Sequence, residues 1–402
     1  MKRERLGTVP VLVALLIDSA GSGLYIPFEL LYARTDVGLP LSVAGLVLTL
    51  AAGIGLVAGP AAGAAVDRIG AGRIVLVSNL LELAGFGILL IAHSIVPYAA
   101  SAVLITVGVS AFWSAYAPFM GSVLPATHRD RWFGRLRSAG YAGLALGGLL
   151  AGLVLTTGVG GLRVLVAANA VSYVLAGVLI AVQPSIAMER PGAAAARGGY
   201  GLALCDRVNL LFAALNVGAT MFATIPTLAL PIFVVVQLRD PTWAPGILFG
   251  VATLVMTVTA ALSPDLLRGR RRGHVLQLAD GAWFGSFALF AAAVALPRAW
   301  LLLLFPASVF LGLGEGLYTP VGDAVPNALA PPQLQGRYTA IHQFAWRITA
   351  VVAPVLTTFL LSVSPSALWL TLAAATLVSV TVRGWVVARA GGRDGRMGEG
   401  YS

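Results

Sequence analysis

The chain has 402 residues, of which 58% are hydrophobic and only 10% charged, and its mean hydropathy is +0.89. These proportions exclude a soluble globular protein and indicate an integral membrane protein. The net charge of +10 does not indicate a nucleic-acid partner, because the arginines are scattered over many short segments rather than gathered in one domain. The single cysteine, Cys205, excludes an intrachain disulfide and a cysteine-based metal cluster.

Twelve apolar stretches follow one another along the chain, each about 20 residues long, the length that a helix needs to cross a bilayer. They lie near 8–32, 42–66, 74–93, 96–120, 137–158, 163–183, 208–236, 243–263, 274–296, 299–322, 337–361 and 366–388. None of them shows the alternating polarity of an outer-membrane strand. We therefore predict an all-α integral membrane protein with twelve transmembrane helices, called spans 1 to 12 below.

The charges between the spans predict the orientation of the chain. If span 1 runs outward, the cytoplasmic segments hold 21 Lys or Arg, Arg383 among them, and the outward loops hold four: Arg34, Arg163, Arg239 and Arg298. This asymmetry follows the positive-inside rule and predicts a multi-pass plasma-membrane protein with both termini in the cytoplasm. The first apolar run carries Asp18 and lacks a cleavage site, so we predict a spanning helix there rather than a signal peptide.

The two halves of the chain repeat each other. A shift of 198 residues places polar residues of one half on those of the other: Asp18 on Asn216, Ser22 on Thr220, Glu29 on Thr227, Asp67 on Asp265, Arg73 on Arg271, Asn79 on Gln277 and Glu82 on Asp280. A shift of 202 continues the match: Tyr116 on Tyr318, Pro118 on Pro320, Gly134 on Gly336 and Arg135 on Arg337. Parallel repeats are a recurrent plan of transporters, whose substrate site lies between the halves. We predict two six-helix bundles, residues 1–183 and 208–402, joined by a flexible cytoplasmic linker at 184–207.

The loop between spans 2 and 3 carries a known motif. The run from Gly59 to Arg73 resembles the signature G-x-x-x-D-R-x-G-R-[RK] of the major facilitator superfamily, and it matches that signature at Gly63, Asp67, Arg68 and Gly70. Together with the twelve spans, the repeat and the linker, this resemblance covers nearly the whole chain. It implies two pseudo-symmetric bundles and transport by alternating access.

The same loop is predicted to act as a cytoplasmic gate. Gly63 allows a neighbouring helix to approach closely, and Asp67, Arg68 and Arg73 are able to pair with charges of the opposite half. Four residues at the starts of spans 5 and 11 suit the same gate: Gly134, Arg135, Gly336 and Arg337. The alternative is that these charges only set the topology and bind lipid headgroups.

Acidic residues also occur inside the third span of each half. Glu82 and Asp280 each lie three residues after an amide side chain. The resemblance implies that these spans are peripheral, so we predict that the two acids brace the basic loops. Contact with cargo is the alternative.

Polar residues near mid-membrane are the candidates for the substrate and proton pathway, because charges at that depth are costly. By the resemblance, spans 1, 4, 7 and 10 line the cavity. The candidates are Asp18, Ser22 and Tyr25 on span 1, Asn216 and Thr220 on span 7, Glu315 and Tyr318 on span 10, and Arg347 on span 11. We expect a proton, the cargo and Arg347 to compete for Asp18 or Glu315. A permanent brace between Glu315 and Arg347 is the alternative.

Aromatic residues on these spans, such as Tyr25, Trp113 and Tyr318, favour a lipophilic cargo. We predict a secondary active transporter that exports small lipophilic organic compounds in exchange for protons. Two departures separate the chain from the drug:proton antiporters of the family: Leu104 stands where they carry arginine, and Gly148 replaces the proline of their span 5 motif. The small residues of that glycine-rich run still allow close packing, which we expect against span 8.

Two alternatives to export remain, namely an uptake permease or facilitator for a small nutrient, and a membrane sensor without transport. The four histidines lack metal-ligand spacing, and the chain has neither a P-loop nor a nucleophile elbow, so we predict no enzyme, no metal site and no cofactor. The expected partners are the lipid bilayer, a small-molecule substrate and protons. No obligate protein partner is predicted.

Overall fold

The computed structural model describes residues 2–123, 129–157, 160–182, 204–267, 269–330 and 335–389. This part of the chain is helical without a β-strand, and it contains twelve helices that are long and apolar enough to cross a membrane. The prediction of an all-α protein with twelve transmembrane helices is confirmed.

The helices follow the predicted order of spans. In chain order they are α1 (Lys2–Tyr25), α2 (Glu29–Thr35), α3 (Leu41–Ile69), α4 (Ala71–Leu90), α5 (Ile95–Val123), α6 (Arg129–Leu155), α7 (Gly161–Ala181), α8 (Arg207–Pro231), α9 (Ala244–Leu266), α10 (Arg272–Ala295), α11 (Trp300–Leu329), α12 (Gln335–Val363) and α13 (Pro365–Arg389). Helices α1 and α2 together form span 1, and α3 to α13 form spans 2 to 12.

The first span of each half departs from regular α-helical geometry beside a proline. In span 1, a 3₁₀ turn at Ile26–Phe28 contains Pro27 and separates α1 from α2. In span 7, α8 ends at Pro231 and continues as a π-helical turn, Ile232–Gln237. Proline lacks an amide hydrogen and crowds the preceding turn, which accounts for the breaks.

Two compact units divide the chain. Unit 1 comprises Met1–Ala196 with Pro241–Gly250, and unit 2 comprises Arg197–Asp240 with Val251–Ser402. The predicted linker, 184–207, lies for the most part outside the described residues. The predicted bundle boundaries at 183 and 208 therefore stay predictions.

Glycines bring α1 and α6 of unit 1 into backbone contact. A Cβ atom at Gly143 would lie 2.6 Å from the carbonyl oxygen of Leu16, and one at Gly147 would meet the carbonyl oxygen of Ala20 and, at 2.9 Å, the Cα atom of Gly23. Only a residue without a side chain allows this approach. The contact fixes the height of α1 in unit 1 and therefore the position of its polar residues.

The same glycine-rich run of α6 also packs on the segment Pro241–Gly250, which includes the start of α9 and belongs to unit 1. A Cβ atom at Gly148 would lie 2.5 Å from the ring of Phe249, and one at Gly152 would lie 3.0 Å from the carbonyl oxygen of Trp243. The predicted packing of span 5 against span 8 is present here.

Large aromatic side chains fill the core of unit 2. Phe290 stacks on Trp369 with ring centroids 4.4 Å apart, and Phe233 meets Trp369 edge-on at 5.2 Å. All three side chains are fully buried. Such packing joins α10 and α13 with the π-helical turn and holds unit 2 rigid around its polar residues.

We expect Gly147→Val to destabilise the protein, because the new side chain collides with the backbone of α1. Overpacking of this kind costs about 1–3 kcal/mol. The control is Gly53→Val in α3, where no described atom lies within 4 Å of an added Cβ atom. Thermal unfolding of the detergent-solubilised protein measures both variants. Equal midpoints for the two would contradict the close contact of α1 with α6.

Candidate functional site

Helices α1, α4 and α7 bring five polar residues of unit 1 together, called the unit 1 cluster. Asp18 of α1 and Asn79 of α4 line one small cavity. Glu82, almost one turn further along α4, is only 4% exposed. The hydroxyl group of Tyr173 on α7 donates a hydrogen bond to Glu82 and accepts one from Ser22 of α1. The cluster thus contains two carboxyl groups that belong to neighbouring helices.

Two polar atoms of the unit 1 cluster are buried without a hydrogen-bond partner among the described residues. They are Oδ1 of Asp18 and Nδ2 of Asn79. Of the residues described, none forms an ion pair with Asp18 or Glu82. The rest of the cavity wall is apolar: Val11, Ala14, Leu15, Val75, Phe112, Phe119, Met120, Ala176 and Ile180. An uncompensated carboxylate in such surroundings is costly and favours the binding of a proton or another cation.

Unit 2 contains an acidic residue at the corresponding place, but there the charge is compensated. Asp280 of α10 is fully buried, and its Oδ2 atom lies 3.1 Å from Nε of Arg383 on α13, which is 3% exposed. The hydroxyl group of Ser379 donates a second hydrogen bond to the same oxygen, at 3.1 Å. The guanidinium carbon of Arg383 lies 5.0 Å from the ring centre of Tyr318, a cation–π contact.

Hydrogen bonds link three further helices of unit 2. Asn216 of α8 donates to the carbonyl oxygen of His342 on α12 at 2.9 Å, and it accepts from the hydroxyl group of Tyr318 on α11 at 2.6 Å. The hydroxyl groups of Thr220 and Thr349 lie 2.7 Å apart. We call Asn216, Thr220, Asp280, Tyr318 and Arg383 the unit 2 network. Through these contacts the network connects α8, α10, α11, α12 and α13.

Part of the predicted pathway lies elsewhere. Tyr25 is buried and packs edge-on against Phe86, with ring centroids 4.9 Å apart, so it belongs to the core of unit 1. Glu315 and Arg347 are half-buried, and no ion pair joins them in the described part of unit 2. The permanent brace considered for these two residues is therefore absent from this structure.

The two acids predicted to brace basic loops have other partners. Asp280 binds Arg383, which lies inside α13 rather than in a loop, and Glu82 binds Tyr173. By sequence alone, Arg383 counts among the cytoplasmic charges. However, Arg383 lies inside the predicted span 366–388, and this position indicates a buried residue rather than a loop residue. Tyr173 carried no signal, because a tyrosine in an apolar span is common.

The predicted gate residues lie at the ends of helices. Asp67 and Arg68 are exposed near the end of α3, and Nη1 of Arg73 donates to the carbonyl oxygen of Ile69 at 3.4 Å. Arg337 is half-buried near the start of α12. The side-chain surroundings of Gly134, Arg135 and Gly336 lie outside the description. The gate stays a prediction.

The close helix approach predicted at Gly63 lies nearer the start of α3. Among the described atoms, none would lie within 4 Å of a Cβ atom at Gly63. At Gly55, a Cβ atom would lie 2.5 Å from the side chain of Thr106 on α5, and Ser114 donates to the carbonyl oxygen of Gly59 at 3.1 Å. Gly55 is therefore the glycine that allows α3 to approach α5, and the hydrogen bond of Ser114 joins the two helices beside it.

The chain is similar to known membrane transporters. A model of the Major Facilitator Superfamily matches residues 11–305. An uncharacterized MFS-type transporter of Bacillus subtilis (strain 168), YttB, is 27% identical over 144 residues, which are 36% of this chain and 36% of that protein. The matched region thus spans about a third of that relative.

Solved structures of transporters share the fold. A mutant of the nucleoside transporter NupG has a TM-score of 0.80 at 12% identity, and the match covers 95% of this chain and 100% of that chain. The peptide transporter POT in complex with sulfate has a TM-score of 0.74 at 18% identity, covering 97% of this chain and 96% of that chain. At such identities, the likeness shows the fold alone.

We expect Arg383→Met to destabilise the protein by about 3–5 kcal/mol, because it leaves the carboxylate of Asp280 buried without a counter-charge. Adding Asp280→Asn to this variant should recover a large part of the loss. The control, Arg163→Met, breaks an ion pair with Asp36 in which Arg163 is 47% exposed, and should cost less than about 1 kcal/mol. Unfolding of the purified variants tests the coupling, and additive losses in the double variant would contradict the buried pair.

Proposed function

The chain belongs to the Major Facilitator Superfamily, and we propose that it takes up a small polar solute by alternating access, coupled to proton movement through Asp18. It is a multi-pass membrane protein with twelve candidate spans in its described part. In the proposal it lies in the plasma membrane with both termini in the cytoplasm, as the loop charges predict.

The observation that carries this proposal is the buried, unpaired carboxylate oxygen of Asp18. A carboxylate shielded from water binds a proton readily, and it loses that proton when water or a cation reaches it. A transporter that opens alternately to the two sides of a membrane changes the access of water to such a group in every cycle. Asp18 is therefore suited to bind a proton on one side and release it on the other.

The buried side chains favour a polar solute over a lipophilic one. Tyr25, one of the aromatic residues expected to line the pathway, packs in the core of unit 1 instead. The interior groups at the candidate positions are carboxyl, amide and hydroxyl groups. Such groups bind a solute through hydrogen bonds. We therefore propose uptake of a polar nutrient, which the sequence analysis gave as the alternative, in place of the export of lipophilic compounds.

The names of two similar structures support the same choice. The nucleoside transporter and the peptide transporter carry, by their names, polar solutes with several hydrogen-bonding groups. For this chain we propose only the class, a small polar molecule with both donors and acceptors. The amide group of Asn79, whose nitrogen has no hydrogen-bond partner among the described residues, is suited to such a molecule, since an amide both donates and accepts.

The two units have different parts in the proposed cycle. In unit 2, Arg383 compensates Asp280, so in the proposed cycle this acid keeps its charge. In unit 1, Asp18 has no such partner, so its charge depends on the proton that it binds or loses. Binding of the solute and of the proton to the same open state couples their movements, because each raises the population of the state that binds the other.

Proteoliposomes with a trapped pH-sensitive dye test this proposal. We expect one class of polar solutes, from a panel of nucleosides, dipeptides, sugars and carboxylates, to carry protons inward with the wild type. Asp18→Asn should lower this proton flux at least about tenfold, because the amide cannot bind the proton. Asp36→Asn is the matched control, since Asp36 lies outside the cluster in a partly exposed ion pair with Arg163.

Other outcomes assign other functions. Proton flux with lipophilic cations and with none of the polar solutes would restore export of lipophilic compounds. Solute movement without proton flux would indicate a facilitator. Equal proton flux in Asp18→Asn and the wild type would show that Asp18 does not couple proton movement to transport. Glu315 would then be the next candidate for that role.

A further inference from the structure

Three aromatic side chains of α5 lie together in unit 1 and have no part in the function proposed above. They are Phe112, Trp113 and Tyr116, called the α5 aromatic cluster, and their ring centroids are between 5.4 and 5.6 Å apart. Phe112 and Tyr116 pack against the hydrophobic core of unit 1, whereas Trp113 is 62% exposed. The α5 aromatic cluster thus has a fixed base and one ring at the surface of unit 1.

The neighbours of Trp113 in the sequence show which surface its ring occupies. Phe112 lines the cavity beside Asp18, and Ser114 donates a hydrogen bond to the carbonyl oxygen of Gly59 on α3. Successive residues of an α-helix point about 100° apart. Trp113 therefore points between α3 and the side of α5 that faces the cavity of Asp18, and its ring lies at a surface next to that cavity.

The depth of Trp113 in its span argues against contact with lipid. Trp113 lies ten residues before Val123, the last residue of α5, which is about 15 Å along the helix axis. Tryptophans that face lipid are enriched at the membrane interfaces, where the indole N–H reaches water. Among the described residues, none accepts a hydrogen bond from the indole N–H of Trp113. Water or a bound solute supplies the acceptor that lipid lacks.

The repeat places an acid at the position of Trp113. The shift of 202 residues that matches Tyr116 with Tyr318 also matches Trp113 with Glu315. An ionisable side chain inside a spanning helix faces a water-filled cavity or the protein interior rather than lipid. Since the two halves share one arrangement of helices, the position of Trp113 in unit 1 has the same surroundings as that of Glu315 in unit 2.

Both matched tyrosines contact a tryptophan, but only one of the two indole rings is buried. In unit 2, the ring centroid of Tyr318 lies 5.5 Å from that of Trp283, which is fully buried. In unit 1, the ring centroid of Tyr116 lies 5.4 Å from that of the exposed Trp113. The core of unit 2 thus uses its tryptophan for packing, whereas the ring of Trp113 is open to a ligand.

We propose that the indole ring of Trp113 stacks on the transported solute, which is therefore a small polar molecule with a flat unsaturated ring. The indole N–H donates a hydrogen bond to an acceptor on the same molecule. This inference rests on the proposed function, the uptake of a small polar solute. It goes further by naming a residue that contacts the solute and the part of the solute that this residue contacts.

The geometry of the α5 aromatic cluster suits stacking. The ring of Phe112 meets the indole ring at an interplanar angle of 81°, and the ring of Tyr116 meets it at 59°. Neither ring lies parallel to the indole, so neither covers its flat face. Both hold the indole in place, which lowers the entropy lost when a solute binds. A sugar or an aliphatic acid has no flat face to stack on it, so the cluster distinguishes between classes of polar solute.

The test compares solutes that differ in the ring alone. Uptake into proteoliposomes is measured for two pairs, uridine with ribose and phenylalanyl-alanine with leucyl-alanine. Four full-length proteins are used: the wild type, Trp113→Leu, Trp113→Phe and the control Trp346→Leu. Trp346 is a 47% exposed tryptophan of α12 that lies outside the α5 aromatic cluster.

We expect the wild type to take up the ring-bearing member of at least one pair with a kcat/KM about tenfold above that of its partner. Trp113→Leu should raise KM for the ring-bearing solute by about tenfold with little change in kcat, because only binding through the ring is lost. The ring-less partner should be affected little. Trp113→Phe, which keeps an aromatic face, should retain most of the preference, and Trp346→Leu should retain all of it.

Fluorescence supplies a second measurement that does not depend on transport. Addition of uridine or phenylalanyl-alanine, whichever the wild type prefers, should quench part of the tryptophan fluorescence of the wild type in detergent. Trp113→Phe should lose that part of the quenching while it still takes up the solute. This variant decides the matter if Trp113→Leu aggregates on size-exclusion chromatography.

Three results overturn the proposal. One is a wild type that takes up both members of each pair equally well or prefers the ring-less ones. Another is a Trp113→Leu variant that loses uptake of both members to the same extent, since this indicates a structural role. The third is equal quenching in Trp113→Phe and the wild type.

Failure of this inference and failure of the proposed function give different results. Proton-coupled uptake of a sugar or a carboxylate without preference for a ring would refute the stacking site and leave the proposed uptake standing. A preference for ring-bearing solutes that depends on Trp113, without proton flux in the wild type, would refute the proposed coupling and leave the stacking site standing.

Discussion

A carboxylate inside a membrane protein needs a positive partner, and the two halves of this chain meet that need differently. In unit 2, Asp280 has Arg383 at 3.1 Å, and both side chains are almost completely buried. In unit 1, Asp18 and Glu82 have no described cation beside them. Removal of charges from water is so costly that the partner of each acid bears directly on whether that acid keeps its charge inside the membrane.

The packing of each unit follows from the same constraint. In unit 2, the ion pair and the hydrogen bonds of Asn216 connect helices that also share a core of stacked aromatic rings. Local rearrangement of these helices would break the ion pair, the hydrogen bonds and the aromatic packing. In unit 1, glycines such as Gly147 hold α1 against α6 through backbone contacts, which position Asp18 without supplying any charge to it. The helix is fixed, and its carboxyl group stays available to a ligand.

The two halves of the chain therefore resemble each other more in the arrangement of their helices than in the partners of their polar side chains. The repeat places Asp18 on Asn216. Asn216 donates one hydrogen bond and accepts another, whereas Oδ1 of Asp18 has no hydrogen-bond partner among the described residues. On the sixth span of each half, Ala176 lines the cavity beside Asp18, and Arg383 forms the ion pair with Asp280. The same fold thus contains a paired acid, Asp280, in one half and, in the other, Asp18, which has no ion-pair partner among the described residues.

The sequence by itself determined the class of protein, the number of spans and the candidate acid Asp18, because hydrophobic length and the cost of a buried charge are readable residue by residue. It could not determine the partners. It assigned Arg383 to a loop, expected Glu315 near Arg347, and predicted close approach at Gly63. Pairing depends on how helices distant in the sequence rotate and pack, so only the tertiary structure decided that Arg383 compensates Asp280 and that Asp18 and Asn79 share a cavity.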